Sequence, residues 1–211
     1  MNRRSSFGIF VCAVSAALLA GCAQRGFNTS ERRLIADGRG GLMRVLTIAD
    51  PDDSLFLRGS SAPLTAGALR TETFSQLCRS LLATVQNPEN EGVGIAAPQV
   101  GVARRVVAVQ RFDKPGEPFE VYVNPEIVRM SDSVALGPEG CLSVPDLYGR
   151  VARAQEIELS YRDTAFVERT ETVRGYTVVI FQHELDHLDG VLYIDRLVGA
   201  PLRPHAAPQE K

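Results

Sequence analysis

The feature that most constrains this chain lies near its C-terminus, in the run Val178-Val179-Ile180-Phe181-Gln182-His183-Glu184-Leu185-Asp186-His187-Leu188-Asp189-Gly190. Wound as a helix, the run sets His183 and His187 one above the other on a single face, with Glu184 beside them. Two neutral imidazoles at that spacing are ligands for a divalent metal, and the adjacent carboxylate can handle the proton of a water held there. The competing reading is a helix that merely carries two histidines. Against it, the chain has only three histidines and places two of them here. The apolar residues Val178 to Phe181 also predict a buried helix, where unliganded imidazoles and carboxylates are costly.

Composition limits the setting. A chain of 211 residues with 45% hydrophobic and 23% charged side chains fits one globular domain with a real core plus extra segments. A net charge of −2 offers nothing to a nucleic acid. The four cysteines, Cys12, Cys22, Cys78 and Cys141, do not read as a disulfide framework.

Residues 1–22 read as a secretory signal. Arg3 and Arg4 form a basic start, and Phe7 to Ala20 form an apolar run too short to span a bilayer comfortably. The run ends in Leu19-Ala20-Gly21-Cys22, similar to the bacterial lipoprotein box, in which cleavage before the cysteine is followed by acylation. Two or three acyl chains on Cys22 would anchor the protein stably. Ala23 and Gln24 follow with no aspartate, which resembles outer-membrane-directed lipoproteins facing the periplasm. Loss of residues 1–21 would leave a mature charge of −4. The alternatives are an ordinary amphipathic or core segment, or translation from Met43, which would make the protein cytoplasmic.

Residues 23–42 are polar and rich in Gly and Arg, and are expected to be a tether before a body spanning 43–198. Met43 to Ile48 reads as a short strand. Thr71 caps a helix carrying Phe74, Leu77, Cys78, Leu81, Leu82 and Val85 on one face, and Asn87-Pro88 ends it. In Gly92-Val-Gly-Ile-Ala-Ala-Pro-Gln99 two glycines alternate with apolar residues, as where something must approach a backbone closely. Strands are expected over Val106–Gln110 and Phe119–Asn124, with Ile127–Leu136 as a partner. Gly137 to Pro145 reads as turn-rich; Val151–Arg162 and Phe166–Val173 alternate as half-buried antiparallel strands. Val191–Ile194 reads as a closing strand, and 199–211 as a loose tail containing His205. The expected class is α+β, with short antiparallel sheets around a buried C-terminal helix.

A catalytic site of this kind needs a third protein ligand. Metallopeptidases with the same helix motif take it downstream. Here Tyr193 stands where a third histidine would be, and the only downstream glutamate is Glu210, in the tail. A membrane-anchored zinc metallopeptidase is therefore the second reading. Cys141, on an upstream loop, is the better candidate, since a thiolate is a strong ligand; taken alone, an inert buried cysteine remains open.

Three segments, Gly92 to Gln99, Glu139-Gly-Cys-Leu-Ser143 and Gln182 to Gly190, together resemble the three motifs of peptide deformylases, in order and at similar separations. Met43-Arg-Val-Leu-Thr-Ile48, Pro51-Asp52 and Leu55 resemble the family's opening, so the likeness covers about residues 43–197. The resemblance implies that Cys141, His183 and His187 bind a divalent metal, Fe(II) in this family, with zinc, nickel or cobalt as possible substitutes. It implies that Glu184 is general base and then acid, and that the Gln99 side chain and Leu142 N–H stabilise the oxyanion.

The substrate implied is an extended N-formylmethionyl peptide lying along Gly92, Val93 and Gly94 and near Gly140. Val93, Val179 and Ile180 would wall the methionine pocket. Gln182, Asp186 and Glu139 are candidates to orient the ligands, with ordinary hydrogen bonding at the helix surface the competing account for Gln182 and Asp186. The expected assembly is a monomer. A signal sequence departs from the family, whose members of this type act on nascent chains in the cytoplasm, and thiolate-held Fe(II) is oxidisable. A non-catalytic lipoprotein on this scaffold is the third reading.

Overall fold

The computed structural model describes residues 26–38, 41–199 and 203–204. The leader with Cys12 and Cys22, and His205, lie outside the described residues. Five α-helices are described: α1 (Thr29–Ala36), α2 (Pro51–Leu57), α3 (Ala66–Leu69), α4 (Glu72–Val85) and α5 (Tyr176–Leu188). The strands are β1 (Gly94–Ala96), β2 (Val106–Gln110), β3 (Phe119–Met130), β4 (Val134–Cys141), β5 (Val144–Ala154), β6 (Glu156–Arg162), β7 (Glu168–Arg174) and β8 (Arg203–Pro204). None of the described helices is long and apolar enough to cross a membrane.

A five-stranded antiparallel sheet in the order β1-β2-β3-β6-β7 separates α4 from α5. Strand β2 shows why. Val106 and Ala108 join Phe74, Leu77 and Leu81 on one face, while Val107 and Val109 join Val178, Phe181 and Leu185 on the other. Successive side chains of a strand point to opposite faces, so a run of four apolar residues is what a strand covered on both sides needs. α5 is buried at ten of its thirteen positions, so its polar side chains must find partners inside the protein. It ends at Leu188, and just past the Asp189 cap Gly190 takes the left-handed region at φ 74°. A side chain there would run into the Arg58 carbonyl.

A second sheet, β4-β5-β8, lies beside α5, with Val144 and Val151 packed on Leu192 and Tyr193. Its long hairpin carries Cys141 at the β4 end. Residues 43–48 form no strand but stitch the two parts together: Leu46 N–H donates to Gln99 O at 2.7 Å and Ile48 N–H to Ser143 O at 2.9 Å.

Several expectations are corrected. Residues read as a tether contain α1, capped by Asn28 and docked through Phe27 and Ile35 on the α4 side of the core. Asn124-Pro125 does not stop β3; Asn124 takes φ 49°, the register shifts there, and the strand runs on to Met130. Its neighbours are β2 and β6, so Ile127–Leu136 is not its partner. The Gly137–Pro145 segment is mostly strand, and Pro138 is tolerated because β4 is an edge strand. Gln155 divides Val151–Arg162 between two sheets. Tyr193–Arg196 is a 3-10 turn rather than a strand. Arg203–Pro204, within the expected loose tail, pairs with Leu147 and Tyr148.

Candidate metal centre and active site

The sulfur of Cys141 and one nitrogen each of His183 and His187 lie within 4.8 Å of one another. α5 supplies the two imidazoles one turn apart, and the end of β4 brings the thiol, with Sγ 3.2 Å from His187 Nε2. His183 Nδ1 is 2.9 Å from Glu139 Oε2, which leaves its Nε2 free for a ligand. The imidazoles of His187 and His183 hold the Cys141 thiol well below its ordinary range, against the opposing effect of burial. A thiolate and two imidazole nitrogens converging this closely fit a divalent metal.

Glu184 stands next to this triad, 3% exposed, with Oε2 buried and unpartnered among the described residues. Burial pushes its carboxyl up to about 7, the histidines only partly opposing. An acid so placed can take up and release a proton near neutrality, provided that a water or substrate atom meets the orphaned oxygen. Gln99 is buried beside the thiol. Its Oε1 accepts from Ala96 N–H at 2.8 Å, which turns Nε2 toward Cys141 Sγ (3.6 Å) and Ser143 Oγ (3.3 Å). Leu142 follows Cys141 in the turn between β4 and β5, and its Cδ1 faces Gly92. Val93 and Val179 are half-buried and pack with Ile180 in one cluster.

The glycines have a reason internal to the protein. A Cβ on Gly94 would lie 2.5 Å from Glu184 Oε1 and 2.7 Å from Ile180 Cγ2, and one on Gly92 would lie 2.8 Å from Val85 Cγ2. Bare backbone lets α5 and α4 close onto β1. At Gly140 the nearest atom to such a Cβ, Leu147 O, is 3.6 Å away, so the protein itself makes no such demand.

The residues expected to orient the ligands divide. Glu139 touches His183 directly and receives a two-pronged contact from Arg153, Nε at 2.7 Å and Nη2 at 2.9 Å. Asp186 acts at one remove, accepting from Arg153 Nη1 at 2.6 Å and from Arg196 Nε and Nη2, both at 2.6 Å. Gln182 turns away from the Cys-His-His cluster: its amide pairs with both backbone groups of Ala154, at 3.0 and 2.9 Å. It fixes β5 to α5. Arg153 and Arg196 were missed from the sequence. Arg153 had left a signal, sharing a strand face with the inward Val151, where an arginine needs an acidic partner. The Tyr193 ring lies against His183, its centroid 6.1 Å away, and its hydroxyl donates to Leu147 O.

Comparison with known proteins gives the same answer as the site. The family model for polypeptide deformylase matches residues 43–201. A peptide deformylase of Leptospira biflexa is 37% identical over 166 residues, covering 75% of this chain and 89% of its own. The Thermotoga maritima peptide deformylase structure superposes with a TM-score of 0.66 at 32% identity, covering 75% of this chain and 99% of its own. A Met-Ala-Ser-bound class I type b peptide deformylase from Acinetobacter baumannii gives 0.66 at 36%, covering 74% and 98%. With a Cys-His-His cluster and a buried glutamate where such chemistry requires them, the chain belongs to the polypeptide deformylase family, as a metal-dependent hydrolase that removes the formyl group from N-terminal formylmethionine.

Proposed function

We propose that Cys141 Sγ, His183 Nε2 and His187 Nε2 hold one metal ion, Fe(II), and that Glu184, Gln99 and Leu142 carry the chemistry around it. Bound there, the metal supplies Lewis-acid activation of water and of the formyl carbonyl. Glu184 takes the proton of the attacking water and delivers it to the departing peptide amine as the C–N bond breaks, leaving formate and a free N-terminus. The Gln99 amide and the Leu142 N–H receive the negative charge that develops on the formyl oxygen. Glu139 fixes the tautomer and angle of His183.

The peptide would add as a strand beside Gly92, Val93 and Gly94, with Gly140 on its other flank and its methionine among Val93, Val179 and Ile180. The observation that carries this reading is the 4.8 Å triad with the buried, unpartnered Glu184 oxygen beside it. The iron assignment rests on family likeness; zinc, nickel and cobalt suit the same donors. The lipoprotein-type leader supports anchoring through Cys22 and action in the cell envelope.

Metal-loaded protein should release formate from formyl-Met-Ala-Ser, and Glu184→Ala should lower turnover about a hundred- to ten-thousandfold while still binding the metal. Intact formyl peptide after incubation, or an unchanged rate in the variant, would overturn the assignment. Anaerobic loading with Fe(II) or Zn(II) should give the faster enzyme with iron.

A further inference from the structure

The family match begins at Met43, yet the chain continues upstream into α1, an addition to a fold that is already complete. This helix is fastened hard. Glu31 and Ile35 are its buried positions, and Phe27, just ahead of the Asn28 cap, is buried beside them. Ile35 is fully buried, and the Gln76 amide donates to its carbonyl at 3.0 Å. Glu31 and Arg104, 6% and 5% exposed, meet in a buried ion pair, with Arg104 Nε at 2.9 Å and Nη2 at 2.9 Å from the carboxylate.

We infer that α1 is a rigid mount that holds one face of the enzyme against an anionic lipid surface. The inference rests on the reading that Cys22 is acylated. As a free tether, residues 23–42 could let the body wander up to about 70 Å from its anchor, at roughly 3.5 Å per residue. With α1 docked, only the four links from Cys22 to Gly26 remain, about 14 Å at full extension. The body then cannot turn away from the bilayer, and the face nearest the lipid is the one beside the start of α1.

That face has the right charge. Residues 23–42 carry a net +2 and residues 43–211 a net −6, so the anchored end is the basic end of an acidic protein. Arg32 and Arg33 are exposed on α1. Arg70, also exposed, lies in the Gly67–Thr73 segment, which shares a cavity of about 260 Å³ with Phe27 and Arg32. Exposed cations such as these are drawn to an anionic leaflet. The consequence for substrate is direct: the formylmethionyl ends that reach this enzyme are those presented at a membrane surface.

The test uses the full chain in vesicles containing phosphatidylglycerol, with a fluorescent amino acid at position 33 or at position 169 on β7, the far edge of the sheet. Acyl labelling comes first, with Cys22→Ala as control; absence of label overturns the anchor itself and the mount with it. In labelled protein, energy transfer to a headgroup acceptor should be at least about twofold stronger from position 33. A 20-residue Gly-Ser insert between Arg25 and Gly26 should erase that difference. Equal transfer from the two positions without the insert, in protein that is acylated, overturns the mount and leaves the anchor standing.

Discussion

Gly94 and Glu184 are so close that a single methyl group cannot fit between them: a Cβ on Gly94 would sit 2.5 Å from Glu184 Oε1. The strand expected to receive the peptide is therefore also the wall that sets the position of the carboxylate proposed to transfer the proton. Gly94→Ala should displace Glu184 and lower turnover by about a hundredfold, the scale on which small misplacements act. Overpacking against Ile180 should also cost about 1–3 kcal/mol of stability. Gly140→Ala, with 3.6 Å to the nearest atom, should fold normally. Formate-release kinetics and urea unfolding of both variants check the contrast; equal turnover in Gly94→Ala and the parent would sink it.

Gln99 joins two tasks in one amide, holding Ala96 N–H through Oε1 and pointing Nε2 at the thiol. Gln99→Ala should lower kcat about a hundred- to a thousandfold, the usual loss for one oxyanion donor. Leaving Ala96 N–H buried without its acceptor should cost a further 1–3 kcal/mol or so of stability. If KM rises while kcat holds, Gln99 binds the ground state and the oxyanion role is wrong.

Arg153 is the keystone of a chain of contacts from Arg196 through Asp186 and Glu139 to His183. Arg153→Met keeps the bulk and removes the charge, leaving Glu139 without its strongest partner. Metal affinity should fall about 10- to 100-fold, as when groups behind metal ligands are altered. Stability should drop by about 3–5 kcal/mol through the stranded buried carboxylates. A chelator competition and an unfolding curve read the two effects separately. Unchanged metal affinity in folded protein would reduce Arg153 to a purely structural residue.

What was legible in the sequence follows from how local each signal is. Thr71 caps α4 through Phe74 N–H, and Phe74, Leu77, Leu81 and Val85 recur at helical spacing, so this helix could be read from its own residues. The clustering of Cys141, His183 and His187 was readable because the two histidines are one turn apart and the cysteine's motif is short. The hairpin carrying Cys141 was not. Gly137-Pro138 has the composition of a turn, and only the free outer edge of β4 makes it a strand. Helix α1 was hidden for a related reason. Its buried stripe contains Glu31, which reads as solvent-facing until Arg104, 73 residues away, is placed beside it.

Arg111, 2% exposed, gathers acids that the proposed chemistry leaves idle. It donates to Asp113 at 2.8 and 2.7 Å, to Glu171 at 2.7 and 3.1 Å and to the Tyr122 hydroxyl at 2.5 Å. Its guanidinium holds the Asp113 carboxyl below the ordinary value of 3.8. Glu120 is also held low: burial works the other way, but Lys114 and Tyr122 outweigh it. Carboxyls with depressed folded values contribute stability that is fully present above their unfolded values and is lost as pH falls through the folded ones. Replacing Arg111 with methionine should therefore destabilise the protein most well above the ordinary Asp113 value of 3.8, where that carboxyl is ionised in either state. The gap between parent and variant should narrow as the pH drops below 3.8, Glu120 adding little because Lys114 and Tyr122 still hold it in the variant. Urea midpoints from pH 7 down to pH 3, on protein with and without bound metal, measure that gap. A gap that stays constant across the range would mean that the cluster acts through packing against Phe181, 5.7 Å from the guanidinium, rather than through charge.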